Sequence, residues 1–84
     1  MKQNEIMREQ IFEIIQNQIK ANNPPETKIT FDRLKKLGYS DFVTNQLIGQ
    51  CIAGELFRIM KFQEPFNESR YISNLRKLPK EPFD

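Results

Sequence analysis

The sequence predicts an all-α fold, a compact bundle of about four helices around one long central helix. Apolar residues recur at spacings of three and four in several separate segments, the spacing that places side chains on one face of a helix. Those segments are punctuated by Asn22-Asn23-Pro24-Pro25, by Gly38 and by Pro65, residues that interrupt helices. The longest segment, Asp41 to about Phe62, is apolar over about half its circumference when wound at about 100° per residue. A helix of that kind belongs in the middle of a small bundle, contacted from more than one side.

In chain order, Asn4 to Lys20 carries Met7, Ile11, Ile14, Ile15 and Ile19 on one face and forms the first helix. Its other side holds Glu5, Glu9 and Glu13 at i,i+4 steps, a repulsion partly offset by the helix N-terminus. With no histidine in the chain, the three carboxylates read as a solvated acidic face, and no metal or cofactor is expected. The two prolines end this helix. Phe31, Leu34 and Leu37 then mark a short second helix that starts at Pro25 or Thr30 and closes at Gly38. Tyr39 packs back, and Ser40 offers a side-chain cap for the central helix. On that helix Phe42, Ile48, Ile52, Leu56, Ile59 and Met60 share the apolar arc, opposite Gln46, Gln50, Arg58 and Lys61. Pro65 stops it. Asn67 caps a fourth helix bearing Tyr71, Ile72, Leu75 and Leu78, with Phe66 and Tyr71 spaced to clamp its first turn, and Leu78-Pro79 ends it. Residues 1–79 thus read as one helical domain and 80–84 as a flexible C-terminal tail.

At 84 residues the chain buries only a little over ~60% of its unfolded surface, so self-association is an expected source of further burial. A hydrophobic fraction of 38% with 29% charged residues describes a folding, soluble chain, and a net charge of +2 does not demand a nucleic-acid partner. Cys51, the single cysteine, cannot form an internal disulfide, which suits a cytoplasmic setting. The longest uncharged run, Phe42 to Gly54, is too short and polar to span a bilayer, so no membrane association is expected.

Glu55 is the ionisable group that most needs explaining, because it falls inside the apolar arc. A carboxylate there requires a partner, and Arg58, Arg33, Arg70 or the Tyr71 hydroxyl can supply it. Cys51 lies one turn before it, but a thiol nucleophile needs an imidazole or strong positive field, so Glu55 reads as structural and Cys51 as inert. Gly49 and Ala53, one turn apart, form a notch that admits close approach by the Ile11, Ile15 and Ile19 face of the first helix, or by another chain. Gly49, Ala53 and Glu55 are accordingly the candidate interaction residues. A different pattern, Lys28, Arg33, Lys35 and Lys36 followed by a turn and a second helix, has helix-turn-helix rhythm. It would put Asp41, Thr44, Asn45 and Gln46 at base edges, although Asp41 repels phosphate and the second helix is about twice the usual recognition length.

The pieces Pro24-Pro25-Glu26, Arg33-Leu34, Gly38-Tyr39-Ser40, Glu55-Leu56, Pro65-Phe66, Arg70-Tyr71 and Leu78-Pro79, in this order, resemble a family of short, uncharacterised all-helical bacterial domains. The resemblance implies a bacterial origin and a helical domain found alone or beside others, and it carries no activity and no site residue. The first helix lies outside it. The expected function is a non-enzymatic protein-interaction or accessory module whose partner is another protein or a second copy. The alternative is a helix-turn-helix-like nucleic-acid binder, and a small enzyme built on Cys51 and Glu55 ranks third.

Overall fold

Helix α3 (Asp41–Phe62) touches each of the other helices, α1 (Lys2–Ala21), α2 (Pro25–Lys36) and α4 (Glu68–Lys77). The computed structural model describes residues 2–80, with side chains from Met7 onward. All four elements are helices and no strand occurs among the described residues, so the predicted all-α bundle is what forms. Among the described residues no helix is long and apolar enough to cross a membrane. Of the predicted tail, Lys80 returns its N–H to the Lys77 carbonyl at 2.9 Å, and residues 81–84 lie outside the described residues, as does the Glu5 side chain.

The helix ends follow local chemistry. Ser40 accepts the Val43 N–H at 3.1 Å and Asn67 accepts the Arg70 N–H at 2.9 Å, each satisfying a donor that a helix N-terminus leaves free. Helix α2 begins at Pro25 rather than Thr30, because a first-turn proline loses no helical hydrogen bond and already has a helical φ. Gly38 turns the chain at φ +105°, a conformation that side chains disfavour. Helix α3 stops at a left-handed Gln63, whose N–H bonds the Ile59 carbonyl at 3.0 Å, two residues ahead of Pro65.

The core consists of Ile11, Ile15, Leu34, Ile48, Cys51, Ile52, Tyr71, Leu75 and Leu78. The short α2 is as central as α3, for it also touches every other helix, whereas α1 and α4 do not pack on each other. Its buried face is Thr27, Thr30 and Leu34, and Leu37 is exposed, against expectation, because it sits at the C-cap where the chain already turns away. Helix α3 departs from expectation in the same way. Phe42 and Met60 lie outside the core, Met60 at 69% exposure, while Thr44 and Glu55 are buried beside Ile48, Cys51 and Ile52. The buried stripe is rotated toward these polar residues, and Phe42 and Met60 near the helix ends stay more than half exposed. Phe42 packs edge-on against Phe12 of α1, at 6.3 Å between centroids.

What joins α1 to α4 is polar. The Tyr71 hydroxyl donates to Gln18 Oε1 at 2.8 Å, Thr27 Oγ1 donates to the same oxygen at 2.7 Å, and the two hydroxyl oxygens are 3.1 Å apart. Neither Gln18 nor Thr27 stands out in the sequence. Burial pushes the Tyr71 phenol up to about 12, so it remains a neutral donor. Phe66 packs edge-on against the Tyr71 ring at 5.5 Å between centroids, at the position the sequence spacing assigns to it.

Candidate functional site

Glu55 is 1% exposed and fully bonded. Its Oε2 accepts Arg70 Nε at 2.6 Å, and its Oε1 accepts both Arg70 Nη2 and the Asn67 backbone N–H at 3.0 Å. Of the partners the sequence offers, Arg70 is the one used. Arg33 instead binds the Leu78 and Leu75 carbonyls at the end of α4, at 2.8 and 3.0 Å, and Arg58 Nε pairs with Glu64 at 3.1 Å. Desolvation pushes the Glu55 carboxyl up, but the Arg70 fork, the Asn67 N–H and the nearby Arg58 charge outweigh it and hold the group below the usual carboxylate range. Asn67 is the N-cap of α4 and Arg70 its third helical residue, the place where a capping box carries a carboxylate that returns to the N-cap N–H. Here Glu55 of α3 supplies that carboxylate, held in place by the residue that stands where it would be.

Cys51 is buried, and burial pushes its thiol up to about 12, leaving no thiolate at neutral pH. Among the described residues its only hydrogen-bond partner is the Leu47 carbonyl, at 4.0 Å. The geometry thus pairs an ionised, saturated carboxylate with a protonated thiol.

Gly49 and Ala53 differ in their surroundings. A Cβ on Gly49 would lie 3.1 Å from Ile11 Cγ2 and 4.0 Å from Phe12, so α1 occupies this half of the notch, as Ile11 is expected to do. Ala53 is only half-buried and opens onto a groove. One hollow of about 410 Å³, between α1 and α3, is bounded by Met7, Arg8, Phe12, Gln46 and Ala53 among others. A second, about 510 Å³, continues from Gln50 and Ala53 past Gly54 to Phe57 and Arg58. Phe57 is 56% exposed at this end, and Lys61 Nζ lies 5.3 Å from its ring centroid. Among the described residues no acidic side chain lines either hollow, and an arginine stands at each end. Phe57 escapes a reading based on core periodicity, although its i,i+4 spacing from Lys61 is that of cation–aromatic stacking on a helix.

The residues of the helix-turn-helix pattern are largely committed within the chain. Lys28 pairs with Asp32 at 3.0 Å, Lys35 with Asp41 at 2.6 Å, and Arg33 with the end of α4, while Lys36 is exposed without a partner among the described residues. Asn45 donates to the Asp41 carbonyl at 3.0 Å and accepts from Gln16 at 3.5 Å, and Gln46 lines the groove. Thr44 is a correction. It is completely buried, its hydroxyl has no hydrogen-bond partner among the described residues, and it cannot reach a base edge. Thr44→Val keeps the shape and the β-branching while removing an unsatisfied buried group, and is expected to raise stability by about 1 kcal/mol. Urea unfolding checks this, and a less stable valine variant would mean that the hydroxyl has a partner.

Compared with protein-family models, with curated proteins and with solved structures, the chain matches none of them, so its functional reading rests on the arrangement of its own side chains.

Proposed function

We propose that the chain is a non-enzymatic protein-interaction module, and that the groove along α3 receives an amphipathic helix of a partner protein carrying acidic residues beside its apolar face. The observation that carries this reading is the groove itself: apolar, floored by Ala53 and Gly54, and flanked by Arg8 and Arg58 without a lining carboxylate among the described residues. Small residues let a helix backbone come close, exposed Phe57 and Met60 offer apolar area, and the arginines favour acidic flanks. The protonated Cys51 and saturated Glu55 support the non-enzymatic part. The nucleic-acid alternative is weaker, since Lys28, Arg33 and Lys35 are engaged within the chain and Asp41 stands at the head of α3.

A photo-crosslinking side chain at Phe57 tests the reading in cells, with the same group at exposed Glu13 as control. The expected result is a discrete crosslinked protein at Phe57 that disappears when Ala53→Leu fills the groove, with the melting of the leucine variant moved by less than about 1 kcal/mol. Equal crosslinking at Glu13, or crosslinking indifferent to Ala53→Leu, would overturn it. A crosslinked second copy of the chain would replace the partner helix with self-association.

A further inference from the structure

A third hollow, of about 290 Å³, opens between α3 and α4 on the far side of Gly54, and its lining is polar: Arg58, Arg70, Ser73, Asn74 and Lys77 surround the already saturated Glu55. Asn74 is the informative residue. The residue is 7% exposed and its carboxamide makes no hydrogen bond with any described residue, so its polar atoms keep their contact with solvent at the hollow that Asn74 lines. Around it stand donors that the fold does not use. Arg70 spends Nε and Nη2 on Glu55 and keeps Nη1, Arg58 spends only Nε on Glu64 and keeps both terminal nitrogens, and Lys77 and Ser73 have no partner among the described residues. Glu55 contributes the one lining carboxylate, and both of its oxygens are taken.

From this we infer that the hollow binds the phosphate group of a small molecule, either free orthophosphate or a phosphate monoester. The guanidinium groups arrive from two helices, and an ammonium, a hydroxyl and a carboxamide approach from α4. Such a set can surround a tetrahedral dianion, with its three or four acceptor oxygens, whereas a planar carboxylate leaves part of it unused. Glu55 and Glu64 pair with these arginines, Glu64 also lying 3.6 Å from Arg70 Nη2, and leave Arg70 Nη1 and the terminal nitrogens of Arg58 without a hydrogen bond among the described residues. The hollow shares Gly54 and Arg58 with the end of the α3 groove but is otherwise lined from α4, apart from Glu55, and its test does not depend on a protein partner.

The test is a titration of the isotope-labelled full chain by nuclear magnetic resonance, with orthophosphate, glycerol phosphate and acetate at constant ionic strength. Saturable shifts are expected at the Gly54, Ser73 and Lys77 backbone amides and at the Asn74 side-chain amide, with acetate binding about tenfold more weakly or worse. Lys77→Glu, on an exposed position that leaves the fold intact, should weaken phosphate binding by about tenfold, while Lys28→Glu, with the same change in net charge, should leave it unaltered. Tighter binding of glycerol phosphate than of orthophosphate would identify an ester as the ligand, and equal binding would identify the free ion. Linear, unsaturating shifts, acetate binding equal to phosphate, or equal weakening by Lys28→Glu would each overturn the site.

Discussion

Glu55→Ala is expected to lower the stability of the fold by about 2 to 3 kcal/mol, read from urea or thermal unfolding. The substitution removes the acceptor of the Asn67 N–H and both contacts to the Arg70 fork, so the first turn of α4 loses its tether to α3. Arg70 reaches solvent, so its charge is not stranded, and the loss stays below that of breaking a fully buried pair. Glu55→Gln keeps an oxygen for Asn67 but turns an NH2 group toward a donor of Arg70, and should cost about 1 kcal/mol. An alanine variant that unfolds like the parent would mean that this network is ornamental.

The same carboxylate sets a pH dependence. Because its folded pKa is depressed, its contribution is complete above the unfolded glutamate value of about 4.3. As pH falls below that value the unfolded chain takes up the proton first, and the contribution is lost progressively until the folded carboxyl protonates as well. Stability measured from neutral pH downward should therefore fall in the acid range for the parent chain. Glu55→Gln should flatten that decline, and parallel curves for the two chains would contradict the assignment.

Gly49→Leu is expected to cost about 1 to 3 kcal/mol although leucine is the better helix former by nearly 1 kcal/mol. The Cβ alone meets Ile11 Cγ2 at 3.1 Å, so the Ile11 side chain must give by a few tenths of an ångström, and the rest of the leucine must fit between Ile11, Phe12 and the hollow that Gly49 also lines. Ala53→Leu, one turn later, extends into the open groove and should be nearly silent in the same unfolding experiment. A Gly49→Leu chain as stable as the parent would show that α1 yields freely at this contact. The sequence treats the two small residues as one notch; the fold assigns one to packing and leaves the other open.

That separation indicates how much was legible beforehand. Helix limits were readable because Ser40, Asn67, Pro25 and Gly38 act on their immediate neighbours, and their chemistry does not depend on the rest of the chain. Burial was less readable. Thr27, Thr30 and Thr44 lie inside helix–helix contacts, where a short β-branched side chain fits, but their hydroxyls make them look polar and they drop out of an apolar count. Phe42 and Met60 fail in the opposite sense, being apolar at places that the packing leaves more than half exposed. That Glu55 needed a partner followed from its position on the helix. That Arg70 would be the partner depended on the path of the loop through Gln63 and Asn67, which no spacing rule contains. The three hollows lie beside helix faces whose separation is fixed only by packing, and nothing in the periodicity announces them.

The borrowed carboxylate at the head of α4 also bears on the order in which the molecule is made. A helix of 10 residues is too short to persist alone in water, and this one has arginine where its own capping acid would stand. Its first turn is completed only when the second half of α3 is already wound and has brought Glu55 within reach. Helix α4 is therefore expected to form after the second half of α3 in folding, its nucleation deferred to a template, and lower φ-values in α4 than around Glu55 would be the sign of it.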